Sequence, residues 1–239
     1  MPEVKQALIA VGGSAKRIRD AGVDVPLSKS FLPIAGHTAL RLTISSLLEA
    51  GLKSLIFCSD RPELFDQVRR VLVELPSPDE TIFYLDKGLG THGLPYQVLH
   101  NLDVLERDFL FECGHSVITA EHYRQLCRAK TPDNVIFSAF DPHPLNLRQP
   151  VGLDSGGRVV RARDSDQCGA IAHPMVIDRE YAAALPFLDF NIDRIIDRYV
   201  DLNMLYYVKT ELRPEFDCVE EYEDCIRSFS SQRRPATVR

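Results

Sequence analysis

Five apolar residues, Ala7-Leu8-Ile9-Ala10-Val11, open directly into Gly12-Gly13-Ser14-Ala15-Lys16-Arg17, and no other feature narrows the fold as far. An apolar run this short, unbroken by polar residues and closed by glycines, reads as a strand buried on both faces feeding a tight turn, the mark of a parallel sheet. Two glycines let the backbone approach a ligand closely and turn its N–H groups toward phosphate oxygens. Pro26-Leu27-Ser28-Lys29-Ser30-Phe31-Leu32-Pro33-Ile34-Ala35-Gly36 follows. Each part has a plainer explanation, since Gly-Gly after a strand is most often only a turn and a lone Arg17 or Lys29 reads as a solvated charge. The loop holds neither G-x-G-x-x-G nor G-K-[ST], so it is not a dinucleotide fingerprint or a P-loop. What singles it out is the ordered set of strand, Gly-Gly, Arg, Lys and Leu-Pro-x-x-Gly. That set offers a polyphosphate both backbone donors and fixed cations.

The rest of the chain continues the theme. Residues 38–50 read as an amphipathic helix stopped by Gly51, 54–58 as a strand, 62–75 as a helix with Pro62 at its start, and 81–85 as a strand. A glycine-rich stretch (87–93), a helix to about residue 105 and a strand at 108–112 complete the first half. This alternation predicts an α/β fold, a mostly parallel Rossmann-like sheet with helices on both faces. Ligands of such sheets lie beyond the carboxyl ends of the strands, here residues 12–13, 59–60, 86–91 and 113–116. The second half is mixed: strands at 134–140, 169–177 and 204–208, a hairpin around Asp154-Ser155-Gly156-Gly157, and helices at 179–185, 192–202 and 219–229. With no repeat and no linker, residues 1–229 read as one domain and 230–239 as a polar, disordered tail.

Composition excludes several classes. At 239 residues with 45% apolar and 26% charged residues the bulk of the chain is globular. A net charge of −6 without a basic cluster argues against nucleic acid. No apolar run approaches the ~18–20 residues of a membrane span, and no signal segment opens the chain, so no membrane partner and a cytoplasmic location are expected. A homo-oligomer is left open. The six cysteines form no C-x-x-C pair and sit mostly in apolar runs, so they read as reduced, buried, unactivated thiols.

Residues 7–36 resemble the opening of the nucleotidyltransferases that make nucleotide-sugars, roughly L-A-G-G-x-G-T-R-L and then P-K-x-L-L-P-V-x-G. Gly12, Gly13, Arg17, Lys29, Leu32, Pro33 and Gly36 match; Ala15 and Lys16 replace Gly-Thr. Leu89-Gly90-Thr91 resembles the segment L-G-T-A beside the base and ribose, with His92 in place of Ala. DFLFECGHSVI (108–118) resembles F-L-V-x-x-G-D-x-x, and the stretches around Gly152 and Gly157 resemble the hairpin over the acceptor. Asp164 falls near the family's acidic residue, Cys168-Gly169-Ala170 resembles N-A-G, and Asp217 matches the Asp of a C-terminal W-x-D-I-G-T-P-x-D-Y.

The resemblance implies transfer of a nucleotidyl group from an NTP to a sugar-1-phosphate or similar phosphorylated alcohol, giving an NDP-sugar and pyrophosphate. It assigns catalysis to Arg17 and Lys29, and nucleotide binding to Val11, Gly12, Gly13, Ser14, Ala15, Gly90 and Thr91. It assigns the acceptor to Gly152, Asp164 and Gly169, and a Mg²⁺ cofactor to Asp217. Two anions must meet in this reaction, so catalysis is positioning and charge neutralisation.

His115 stands where the family's first metal-binding Asp is expected. Imidazole suits Mg²⁺ poorly, and protonated it would be a cation facing phosphate. Three readings stay open. Asp217 with Glu112 or another carboxylate binds Mg²⁺; His115 contacts phosphate; or the protein is a catalytically impaired binding or regulatory member of the fold. A glycosyltransferase using Asp164-Ser165-Asp166 as D-x-D is a lesser alternative. His92 reads as a loop residue, and the acidic cluster at 220–224 as a helix first turn.

Overall fold

The computed structural model describes residues 4–13, 15–25, 27–87, 102–131, 136–141, 150–155, 158–165, 167–179, 200–201, 205–209 and 216–232. Strand β1 (Gln6–Ala10) is buried along its whole length and lies in the interior of the sheet. Its alternate side chains enter two different cores, Leu8 and Ala10 one, Ala7 and Ile9 the other, which is why its sequence is apolar without alternation. On one side it pairs in parallel with β4 (Ser54–Ser59), which pairs in parallel with β5 (Glu80–Leu85). On the other it pairs in parallel with β6 (Asp108–Glu112).

Beyond β6 the pattern changes. β10 (Gln167–Asp178) runs antiparallel to both β6 and β7 (Ile136–Asp141), and β11 (Leu205–Lys209) joins β7 in parallel. The expected hairpin forms from β8 (Pro150–Leu153) and β9 (Val159–Arg161), with β8 bound to the first part of β10. A small separate ribbon, β2 (Pro33–Ile34) with β3 (His37–Thr38), and the short helix α1 (Lys16–Asp20) were not expected from the sequence.

Among the described residues, three helices cover one face. α2 (Ala39–Ala50) begins where the Thr38 hydroxyl accepts from Arg41 N–H at 3.2 Å and ends at Gly51, whose φ of 99° suits only glycine well. α3 (Glu63–Val73) and α4 (Ala120–Ala129) flank it, feeding Leu64, Val68, Tyr123 and Leu126 into the second core. The sequence reading missed α4, because its buried face is Ala120, His122, Tyr123 and Leu126, two of them polar, and the apolar period is hidden. The opposite face is covered, among the described residues, by Val151, Leu153 and Val159 of the hairpin with Leu105 and Val200. The last helix, α5 (Val219–Gln232), runs three residues into the segment read as tail, because Tyr222, Cys225, Ile226 and Phe229 all dock on a third core. Residues 233–239 lie outside the described residues, as do most of the helices expected at 179–185 and 192–202. Among the described residues no helix is long and apolar enough to cross a membrane.

The cysteines correct one expectation. Cys58 and Cys225 are buried, whereas Cys113, Cys127 and Cys218 are partly exposed, because they sit at a strand end and near helix surfaces; all five are free. Burial pushes the Cys127 and Cys225 thiols up to about 12 and Cys218 to about 11, so these three are not activated. Thiol labelling at neutral pH is expected to be slow in the native protein and complete in denaturant, and fast native labelling of Cys113 would refute an unactivated set.

Candidate nucleotide site

The carboxyl ends of β1, β4, β5 and β6 share one edge of the sheet, and the loop after β1 lies on it. Val11 N–H donates to the Cys58 carbonyl at 2.8 Å, tying the loop to β4. Gly13 turns at φ +83°, and a Cβ there would lie 4.0 Å from Lys29 Cε, so the lysine stem passes directly over the loop backbone. Ala15, also left-handed at φ 50°, starts α1 and buries its methyl in the third core. Arg17 follows on α1, with its side chain nearly half exposed.

Lys29 ion-pairs with Asp217 Oδ1 and its Nζ reaches the Phe216 carbonyl at 3.4 Å, while Arg17 Nη1 lies 3.9 Å from Asp217 Oδ2. Residues 188 apart in sequence therefore meet over Gly13. α5 delivers Asp217: the Glu221 carboxylate accepts from Asp217 N–H at 2.6 Å and Cys218 N–H at 3.3 Å, and Tyr222 OH donates to the Pro33 carbonyl at 2.5 Å. The acidic first turn thus caps its helix, as expected, and also fixes Asp217.

At the end of β6, Gly114 adopts φ +65°, and a Cβ there would sit 2.9 Å from the Ala10 carbonyl and 3.2 Å from Ser30 Oγ. His115 follows, buried, donating Nδ1–H to the Cys113 carbonyl at 2.6 Å and standing edge-on to Phe216. Burial, helped by Lys29 and opposed by Asp217, brings its pKa down to about 3, so the ring is neutral. In this state the ring can meet a phosphate only as a neutral hydrogen-bonding group. Glu112 does not join Asp217 either: it is fully buried, accepts from Tyr123 OH of α4 at 2.8 Å and from Cys113 N–H at 2.8 Å, and burial pushes it up to about 7.

His173 is a residue the sequence reading missed. A bulge between Ala172 and Met175 sets it on β10 edge-on to Phe111, ring centroids 4.9 Å apart, and it feels the charges of both Asp217 and Lys29. Burial lowers its pKa to about 4. A single histidine inside an apolar strand carries no sequence signal.

These titrations predict a pH profile. Glu112 has a folded pKa above its ordinary 4.5, so its contribution is complete below 4.5 and lost as pH rises through about 7. His115 and His173 are lowered from 6.5, so theirs is complete above 6.5 and lost on acidification. Glu112→Gln should therefore gain stability relative to wild type between about pH 5 and about pH 8 in urea titrations; a pH-independent difference would refute an ionisable Glu112 in this range.

Of the acceptor residues expected from the sequence, Gly152 lies on β8 of the hairpin, Gly169 on the part of β10 that pairs with it, and Asp164 in the turn after β9. Gly152 pairs with Cys168 and Gly169 with Val151, while Asp164 is exposed beside Arg163. Gly152 has a packing reason to lack a side chain: a Cβ would fall 2.2 Å from the Ser165 Cβ, and the Ser165 hydroxyl binds Leu153 N–H at 3.0 Å. Gly152→Ala should cost about 1–3 kcal/mol by overpacking, and Ser165→Gly in the same chain should recover most of it. Additive losses would show that the two do not meet. Ser14, Gly90, Thr91 and His92 lie outside the described residues.

A Mg²⁺ arriving with a triphosphate would find Asp217 here among the described residues, and take its other ligands from phosphates and water. Among the described residues no group of three His, Cys, Asp or Glu side chains forms a protein-made cage.

Solved structures of several nucleotidyl transferases share this mostly parallel sheet and its helices. The inositol-1-phosphate CTP transferase from T. maritima superposes with a TM-score of 0.72 at 18% identity, over 98% of this chain and 99% of that one. A nucleotidyl transferase from Methanothermobacter thermautotroptrophicus gives 0.65 at 16% identity, over 95% and 98%. A CMP:2-keto-3-deoxy-manno-octonic acid synthetase complexed with CTP gives 0.65 at 11% identity, over 97% and 100%. The chain has this fold. In sequence it matches no family model and no curated protein.

Proposed function

We propose that the protein transfers a nucleotidyl group from an NTP to a sugar-1-phosphate or similar phosphorylated alcohol. The observation that carries this reading is the convergence of Arg17, Lys29 and Asp217 over the loop of Gly12 and Gly13. An oxygen of the acceptor phosphate attacks the α-phosphorus, the bond to the β-phosphate breaks, and pyrophosphate leaves. Loop amides and Arg17 hold the triphosphate. Lys29 sits between the α-phosphate and the acceptor phosphate, where it offsets their mutual repulsion. Asp217 orients Lys29 through their ion pair, and with it the site holds its lysine in place before substrate arrives. Mg²⁺, bound through Asp217 and the nucleotide, would supply further charge neutralisation. That the structures named above include a CTP transferase and a synthetase complexed with CTP supports trying CTP first.

The test is incubation of the purified protein with each NTP and a panel of sugar-1-phosphates and phosphorylated polyols, reading pyrophosphate and the NDP product by mass. Product from one defined pair is expected; none from any pair would overturn the reading.

One observation favours a second reading, a binding or regulatory member of the same fold: the neutral, buried His115 at the strand end. His115→Asp is expected to tighten Mg²⁺-dependent NTP binding, because a hard cation gains an anionic oxygen ligand. Titrating NTP with and without Mg²⁺ into both proteins checks this. Weaker binding would mean that His115 itself faces phosphate, and an unchanged affinity that position 115 does not face the nucleotide.

A further inference from the structure

His173 is buried, 8% exposed, and its Nδ1 has no hydrogen-bond partner among the described residues. A core histidine with a purely structural role would have that nitrogen satisfied, since a buried polar atom left alone is costly. Its surroundings say what is missing. Phe111 fixes the plane of the ring, and Lys29 and Asp217 both act on it electrostatically. β10 pairs with the hairpin through residues 167–170 and with β6 through Met175 onward, so His173 stands between the hairpin and the Lys29–Asp217 pair. Ser28 and Ser30, on either side of Lys29, are also fully buried with hydroxyls that have no partner among the described residues. Ser30 Oγ points at the same strand end, close to Gly114. Unsatisfied polar atoms gathered around one lysine fit a ligand rich in oxygen.

We propose that His173 donates its Nδ1–H to an oxygen of the acceptor's phosphate, which is held between His173 and Lys29. This rests on the transfer reading above for what the acceptor is, though not for the presence of a phosphate contact. A neutral imidazole, in its Nδ1–H tautomer, adds a directed bond without adding charge to a site that already holds Arg17 and Lys29.

The experiment uses the full chain with ¹³C,¹⁵N-labelled histidine, titrated with inorganic phosphate and, separately, with NTP. The His173 resonances should move saturably with phosphate and stay near their free positions with NTP alone. His173→Phe, which keeps the ring against Phe111 and removes both nitrogens, should weaken phosphate binding about tenfold and raise the acceptor KM by a similar factor, with the NTP KM unchanged. His173→Asn, which retains a donor, should recover part of the loss and decides the matter with the wild-type titration if the Phe variant does not fold. His173 resonances unmoved at saturating phosphate, or an acceptor KM in the Phe variant within about twofold of wild type, would overturn the proposal. Movement with NTP alone and not with phosphate would also overturn it, by placing His173 against the nucleotide. Phosphate bound at His173 in a protein that releases no pyrophosphate from any substrate pair keeps this contact and removes the transfer reading; turnover with an unchanged acceptor KM does the reverse.

Discussion

Lys29→Ala will lower nucleotidyl transfer by about 10²–10³-fold without unfolding the protein. The ammonium lies over Gly13, paired with Asp217 and within 3.4 Å of the Phe216 carbonyl, where the proposed reaction gathers negative charge. Charge stabilisation of this kind acts in the transition state, so kcat and kcat/KM should fall together. The folded state loses little. Asp217 is partly exposed and keeps Arg17 at 3.9 Å, and a pair of that exposure contributes about 0–1 kcal/mol. Lys29→Arg keeps the charge and changes its reach, so it should recover binding of the triphosphate better than it recovers turnover. Steady-state rates beside a thermal melt check this. Turnover within a few fold of wild type, with a normal melt, would take Lys29 out of the site.

Lys130→Met will destabilise the fold by about 3–5 kcal/mol. Lys130 is 1% exposed, with Nζ 3.1 Å from Asp108 and 3.9 Å from Asp178, and these two carboxylates face one another across the β6–β10 pair. Removing the ammonium leaves both charges buried, with the exposed Arg107 at 4.0 Å from Asp178 as a weak substitute. For a chain of this size the melting midpoint should fall by roughly 10 °C. Adding Asp108→Asn should restore a large part of the loss, because the residual repulsion disappears with one charge. Urea titration of the three proteins decides it; a loss below about 1 kcal/mol would mean that the lysine is not the counter-ion of this cluster. The pair sits at the end of β6 away from His115, so nucleotide binding by the folded fraction should be unchanged.

Much of the sheet was legible because its strands declare themselves locally. β1, β4 and β6 are buried on both faces, so their sequences are short unbroken apolar runs, and α2 carries its own stop at Gly51. The hairpin could be read from its turn residues for the same reason. α4 could not, because His122 and Tyr123 occupy its buried face and Tyr123 is there to bind Glu112, a partner that sequence distance conceals. Glu112 itself read as a carboxylate near the site. Only the pleat, which turns it toward α4, shows that it faces the wrong way.

The sequence by itself determined the class of fold, and it singled out the loop over which Arg17, Lys29 and Asp217 meet, since a buried strand, two glycines, an arginine and a lysine are local and ordered facts. It also placed Asp217 in the same set, through a motif at the far end of the chain. The tertiary structure alone decided how these groups meet: Glu221 and Tyr222 dock α5 so that Asp217 reaches Lys29, and the bulge in β10 brings His173 to the same pair. The physical reason is that a polar group's role depends on what it faces after burial. Burial, with Lys29 beside it, holds His115 neutral against the pull of Asp217, and packing leaves His173 Nδ1 without a partner among the described residues; neither fact exists until β6, β10 and α5 are packed together.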